Sequence, residues 1–419
     1  MSNLDITRMK KTGKYYIYLL RWILISTLLG IIGGIVGSAF HLCLEKVTHL
    51  RGEYTWLLFL LPFLGLLIVF LYKCAGFDKD PGTDLVLSST QSEDTIPFRM
   101  FPLIFVTSVL THLGGGSAGR EGASLQIGGS LGAKLGNLLE LNNRDKHITI
   151  MCGMSAVFSA MFGTPIAAAI FCMEVTVVGS VQYAALVPCV ISAVIAEYVS
   201  NLLGITESVY AVNLQYEVTA PLILKIVIIG VLCGILSRLF CKLMHTVKRL
   251  LVKYMPNGYI RAFVGGLIIV ALTLVFKTTD FNGAGTTLIE KSFVGEVVWY
   301  AFLVKMLFTA ITLGAGFKGG EIVPALCVGA TFGCVMASVF GIPVAIASTA
   351  SMIACFCGVT NAPLASLVLA IELFGTSDII FFAIICAISY ACSGYESLYA
   401  SQTIVQDKLY QRDIFRKAK

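Results

Sequence analysis

The 419-residue chain is 57% hydrophobic and only 13% charged, with a net charge of +6. That composition excludes a water-soluble arrangement of several domains and identifies an integral membrane protein. The positive balance reads as the Lys/Arg bias of cytoplasmic loops, so nucleic-acid binding is not expected.

Apolar tracts run from Tyr15 almost to Cys392 without a polar segment long enough for a separate domain. One membrane domain is expected, with no soluble domain appended at either end. Arg8, Lys10, Lys11 and Lys14 precede an apolar run far longer than a signal core, and no small-residue cleavage site follows. The first tract is therefore an uncleaved span. These basic residues, with the basic tail 412–419, place both termini in the cytoplasm. The expected organisation is a cytoplasmic segment 1–14, a membrane repeat 15–205, a connection 206–219, a second repeat 220–397, and a C-terminal segment and tail 398–419.

Residues 15–44 can cross with tilt, and Gly30, Gly33, Gly34 and Gly37 have the overlapping G-x-x-x-G spacing of close helix packing. A second span covers 56–73; a charged turn from Asp78, a short segment to Ser89 and a polar loop to Pro97 follow. The next run, 102–113, is too short at about 1.5 Å per residue to cross a ~30 Å hydrocarbon core. Gly114 to Gly132, GGGSAGREGASLQIGGSLG, comes directly after it, so the chain breaks inside the membrane. Irregular backbone at that depth is tolerated only where protein buries it or a polar cavity meets it, and an ionisable residue there is a functional candidate. Here that residue is Glu121. A helix starting at Arg120 or Glu121 presents unpaired amides and the positive end of its dipole, an anion site for which a carboxylate competes.

That helix is expected to fade at 142–145. Short helices at 148–161 and 165–178, separated by Phe162-Gly-Thr-Pro, and a tract at 184–203 complete the half; 206–217 reads as an exposed connection. The second half repeats the pattern. Gly115, Leu125, Gly128 and Gly132 fall on Gly316, Leu326, Gly329 and Gly333 at one constant offset, and Glu121 falls on Ile322, next to Glu321. Phe158, Pro165 and Glu174 fall on Phe356, Pro363 and Glu372 at nearly the same offset. Paired halves with short Gly/Pro-interrupted helices point to a transporter whose site lies between helix ends of both repeats. The spacing leaves open whether the repeats are parallel or inverted.

These residues resemble a known family. Gly119-Arg120-Glu121-Gly122 with Gln126-x-Gly128 is similar to the G-R-E-G-x-x-x-Q-x-G signature of the CLC chloride channels and proton-coupled anion antiporters. Gly319-Gly320-x-x-x-Pro324-x-Leu326 resembles the second filter motif, and Leu398-Tyr399 the terminal filter tyrosine. The resemblance implies an all-α membrane fold of two inverted repeats with broken, tilted helices meeting at a midplane anion site, and a homodimer with one pore per subunit. Three departures stand out. The first filter motif, usually Gly-Ser-Gly-Ile-Pro, reads Gly82-Thr83-Asp84-Leu85-Val86; the second carries Glu321 before Ile322-Val323; and Val175 stands where chloride antiporters place an inner proton-transfer glutamate. Together they resemble the fluoride/proton antiporter branch.

Glu121 is the expected gate and proton carrier, against the simpler role of complementing a helix dipole. Glu321 is expected on the inner proton path or as a dipole partner. The anion is expected to meet Thr83, Gly119, Arg120, Gly122, Gly320, Ile322, Val323 and Tyr399, although Thr83 also fits a helix N-cap, Tyr399 an interfacial belt, and Arg120 a structural pair. Lys318 reads as a solvated vestibule charge, Glu174 and Glu372 as braces of helix ends near the cytoplasmic face, and His112 as a packed histidine. Gly114-x-Gly116-x-x-Gly119 matches a dinucleotide fingerprint but follows a membrane tract rather than a soluble strand. No H-E-x-x-H occurs and no second acid lies in register with a nucleophile, so an enzyme is not expected. The 13 cysteines are scattered through apolar tracts without zinc-ligand spacing; neither disulfide, metal nor cofactor is expected. The expected function is export of fluoride in exchange for protons across a bacterial inner membrane, with fluoride, chloride, protons and lipid as partners. The alternative is a chloride/proton antiporter or a passive gated chloride channel of the same fold.

Overall fold

In a computed structural model of the chain, residues 3–77, 82–205, 210, 212, 216–410 and 412–418 are described, with side chains from Tyr16 onward. The first helix, α1 (Asn3–Glu53), outruns the expected span at both ends. Its glycines do what their spacing foretold. A Cβ at Gly30 or Gly34 would meet Ile195 or Val199, and one at Gly33 or Gly37 would meet Ala156 or Ala160. One face of α1 thus lies close to two other helices, α6 (Asn143–Phe162) and α8 (Leu186–Leu202).

Between these, α2 (Leu61–Cys74), α3 (Gly82–Ser88), α4 (Met100–Leu113), α5 (Glu121–Leu138) and α7 (Pro165–Glu174) complete the half. At 14 residues α4 rises roughly 21 Å, so the break at Gly114 falls within the hydrocarbon. The second half comprises α9 (Ala220–Tyr254), α10 (Gly258–Phe276), α11 (Thr286–Phe293), α12 (Ala301–Ala315), α13 (Ile322–Phe340), α14 (Val344–Thr360), α15 (Pro363–Phe374) and α16 (Ile379–Cys392). Among the described residues six helices are long and apolar enough to cross a membrane; α4, α7, α12, α14, α15 and α16 are shorter apolar helices.

The repeat noted in the sequence is structural. Helices α5 and α13 begin at equivalent residues, Glu121 and Ile322. Gly128 and Gly132 of α5 rest on the α6 backbone at Gly153 and Thr149, while Gly329 and Gly333 of α13 rest on the α14 backbone at Ser351 and Ala347. Pro165 and Pro363 each open a helix, where a missing N–H is harmless.

The glutamates that close these two helices exchange partners. Glu174 accepts from the Leu364 and Ala365 N–H groups at 3.2 and 2.8 Å, and Glu372 accepts from Ile166 and Ala167 at 2.9 and 2.8 Å. Each carboxylate at a C-terminus caps the neighbour's N-terminus, which requires α7 and α15 to lie antiparallel. The repeats are therefore inverted. The two braces sit at opposite ends of this helix pair, so they do not share a face as expected.

Other expectations are amended. Asn142 does not end α5, which stops at Leu138; its side chain caps α6 by accepting from the Asp145 N–H at 3.0 Å. Helix α7 stops at Glu174, and Val177–Val178 forms a short strand, β1, parallel to β2 (Thr403–Gln406), which pairs antiparallel with β3 (Asp413–Lys417). The fold is helical with this small sheet added. Tyr210 of the presumed exposed connection packs between the Phe293 and Phe374 rings. Residues 206–209, 211 and 213–215 of that connection, the 78–81 part of the charged turn and the basic N-terminal side chains lie outside the described residues.

Candidate functional site

The two glycine loops that precede α5 and α13 meet face to face. Gly119 N–H donates to the Gly320 carbonyl at 2.7 Å, and Gly320 N–H donates to Gly119 at 2.9 Å, an antiparallel pair between equivalent positions. This seam brings the starts of two helices from different repeats together, so their free amides and positive dipole ends converge. No single stretch of chain could do so.

The Glu121 side chain lies in the seam, fully buried. Its Oε2 accepts from the Val323 N–H of α13 at 3.2 Å, and its Oε1 has no partner among the described residues. The carboxylate of one repeat thus occupies the helix start of the other. Only glycine leaves room for it. A Cβ on Gly119 would collide with Oε2, and one on Gly320 would lie 2.7 Å from Oε2 and 2.5 Å from Gly122 N. Ile322 and Val323, both buried, complete the wall.

Thr83 comes in from α3. It lies within the first turn of that helix rather than ahead of it, so the N-cap role lapses. Its Oγ1 accepts from Gln126 Nε2 at 3.1 Å and stands 3.4 Å from the Gly122 carbonyl, a long and weak contact. Gln126 uses the acceptor side of the hydroxyl and leaves its proton available to a stronger acceptor.

Tyr399 is 2% exposed, and its Oη is without a partner among the described residues. It is held in place from its neighbours. Asp84 Oδ1 accepts from Ser401 N–H and Oγ–H at 2.9 and 2.8 Å, and Gln402 Nε2 donates to Val175 and Thr360 carbonyls at 2.7 and 2.8 Å. The belt alternative for Tyr399 is thereby removed.

A cavity of about 180 Å³ is lined by Thr83, Gln126, Lys248, Lys318, Glu321 and Tyr399. Lys318 belongs to this vestibule, but it is only 8% exposed, with its ammonium 4.1 Å from the Tyr72 ring centre, rather than solvated. Glu321 precedes the first residue of α13 and faces this cavity. A second cavity, of about 520 Å³, shares no lining residue with the first; His41, Arg51, His112, Arg120 and Asn282 line it. The Arg120 guanidinium is engaged by His41 and Phe162. Its Nη1 bonds His41 Nδ1 at 3.2 Å and the group lies 5.0 Å from the Phe162 ring centre, so its side chain makes a structural pair. His112 is packed, with Nδ1 2.9 Å from the Ser108 carbonyl.

The structure thus gathers Glu121, Gly119, Gly122, Gly320, Ile322, Val323 and Thr83 at the seam, sets Tyr399 and Glu321 on the adjoining cavity, and pairs the Arg120 side chain with His41 and Phe162. Lys305, discussed below, was not foreseen; a lone Lys in the otherwise uncharged tract 301–315 was its signal. Asp84 and Gln402 were missed as supports of Tyr399, because their partners are remote in sequence.

Comparison with known proteins bears on this arrangement. The family model described as voltage gated chloride channel matches residues 64–394. A chloride/fluoride channel protein of Pseudomonas syringae pv. tomato is 32% identical over 398 residues, covering 93% of this chain and 88% of the relative. An H(+)/Cl(-) exchange transporter of Vibrio vulnificus is 24% identical over 430 residues, covering 93% and 91%. Among solved structures, a CLC-type fluoride/proton antiporter aligns with a TM-score of 0.90 at 32% identity, covering 93% of this chain and 99% of the other. A slow cyanobacterial Cl-/H+ antiporter aligns at 0.77 and 20% identity, covering 89% and 94%, a likeness of fold.

Proposed function

The chain belongs to the voltage-gated chloride channel family, and on that footing we propose that it is a secondary active antiporter that exports fluoride in exchange for protons. The observation that carries the reading is the Glu121 carboxylate lying on the Val323 N–H between Gly119 and Gly320. A carboxylate seated at a helix start holds the place that a small anion would take. When Glu121 is ionised it excludes the anion; when protonated it loses its hold on the amides, leaves, and the anion enters. One group then carries the proton and vacates the seat, which links the two fluxes.

Fluoride is small and strongly hydrated, so its dehydration has to be offset by dense donors. The donors are the α5 and α13 amides at Gly122, Ile322 and Val323, the Thr83 hydroxyl oriented by Gln126, and the unpartnered Tyr399 hydroxyl. Gly119, Gly320 and the Arg120 backbone shape the seat. With Val175 apolar and its carbonyl taken by Gln402, Glu321 passes protons between the Lys248-lined cavity and Glu121. The same reading makes the protein a homodimer in a bacterial inner membrane, with both termini cytoplasmic.

The test is flux from liposomes loaded with fluoride or chloride, without an imposed proton gradient, while external pH is recorded. Fluoride efflux with proton uptake is expected. Faster chloride than fluoride removes the fluoride assignment, and efflux without a pH change removes the antiporter.

A further inference from the structure

Lys305 lies in mid-α12 and is fully buried. Its ammonium donates to Ser117 Oγ at 3.0 Å, to the Phe281 carbonyl at 3.1 Å and to the Gly283 carbonyl at 2.7 Å. Among the described residues no carboxylate lies within ion-pair distance of it. A buried, unpaired charge is costly, and at membrane depth such a group is a functional candidate by default.

Its three acceptors belong to two loops. One is 281–283; the other is the turn that leads into Glu121. Ser117 in that turn is gripped by three α12 residues at helical spacing: Lys305, Thr309 Oγ1 at 3.0 Å, and Thr312 Oγ1, which accepts the Ser117 N–H at 3.1 Å. The loops are also tied to each other. Gly283 N–H donates to Gly116 at 3.1 Å, and Asn282 Nδ2 donates to Gly115 at 2.7 Å. Gly285, at φ +94°, makes room for the lysine stem, since a Cβ there would lie 3.0 Å from Lys305 Cε.

We propose that Lys305 is a positioning residue of the Glu121 gate. Through Ser117 it fixes the turn 114–119 so that Gly119 pairs with Gly320 and the Glu121 carboxylate lies on the Val323 N–H. Removing Lys305 loosens the turn, so the seat holds carboxylate and halide alike less well, which alters the number of protons moved per anion. This inference rests on the exchange reading above.

The experiment uses the full chain in liposomes, comparing wild type, Lys305→Met, Ser117→Ala and the double variant, with fluoride as the probe. Lys305→Met is expected to slow turnover roughly tenfold, the scale of a lost charge-assisted bond, and to shift the proton-to-fluoride ratio. Ser117→Ala shifts the ratio in the same direction by less, and the double variant loses clearly less than the sum of the two, because both single changes break the Lys305–Ser117 bond. A wild-type ratio in folded Lys305→Met, or additive losses, overturns the proposal. Should Lys305→Met fail to fold, Ser117→Ala decides by the same ratio. Hydrogen exchange of the 117–123 amides in Ser117→Ala is measured alongside. Faster exchange there supports the positioning role and unchanged exchange refutes it, whether or not the wild type transports fluoride, so failure of the exchange reading and failure of this inference remain distinct.

Discussion

Replacing Glu121 with Gln tests the seat directly. The amide oxygen takes the Oε2 position and keeps the Val323 N–H bond, which spans 3.2 Å in the native chain. What is lost is the full negative charge against the α13 start, worth about 1–2 kcal/mol in a buried geometry. The new NH₂ group lands at the Oε1 position, which has no partner among the described residues in the native chain either, so that cost is common to both. The amide therefore holds the seat about 1–2 kcal/mol less well than the carboxylate. At 1.4 kcal/mol per decade, a competing anion gains roughly five- to thirtyfold in apparent affinity. The amide also cannot carry a proton. Titration calorimetry in detergent should show fluoride binding tighter to Glu121→Gln than to wild type, and liposomes should release fluoride with no accompanying pH change. Unchanged or weaker binding together with the wild-type proton ratio would place the gate elsewhere and refute the competition argument.

Tyr399→Phe removes a buried hydroxyl that has no partner, so thermal unfolding should be unchanged or slightly later while fluoride affinity falls roughly tenfold. A stability loss with unaltered affinity would make the hydroxyl structural. Gly320→Ala sets a Cβ 2.5 Å from Gly122 N, which the backbone can relieve only by opening the seam. An overpacking cost of about 1–3 kcal/mol and abolished flux are expected, whereas Gly316→Ala, at φ +108° with no atom within 4 Å, should cost about 1 kcal/mol and retain flux. Glu174→Ala and Glu372→Ala each strip two N–H groups of their acceptor. Unfolding in detergent should come earlier by about 1–3 kcal/mol for each, more for the buried Glu174, with Gln at either position recovering part of the loss.

Much of this molecule was legible in its sequence, for reasons that are local. Apolar runs mark spans because lipid offers the backbone no partner, and a run that stops at Leu113 marks a broken helix because length and bilayer thickness are both fixed. Gly30 to Gly37 announced close packing, and the paired glycines of α5 and α13 announced a repeat, because only glycine lets two backbones touch. Glu121 stood out because a carboxylate at a helix start within lipid has few other uses.

What required the fold is every relation between groups far apart in the chain. The handedness of the repeat was undetermined until Gly119 paired with Gly320 and the two glutamates exchanged helix ends, since residue spacing is the same for parallel and inverted copies. Lys318 read as solvated, and Arg120 stayed open between seat and structural pair, because sequence gives a charge without its direction, and the Tyr72 and Phe162 rings that receive them are remote. Lys305 became intelligible only beside Ser117, since hydrogen bonds select by distance and the chain between those two residues carries no record of how closely its ends will meet.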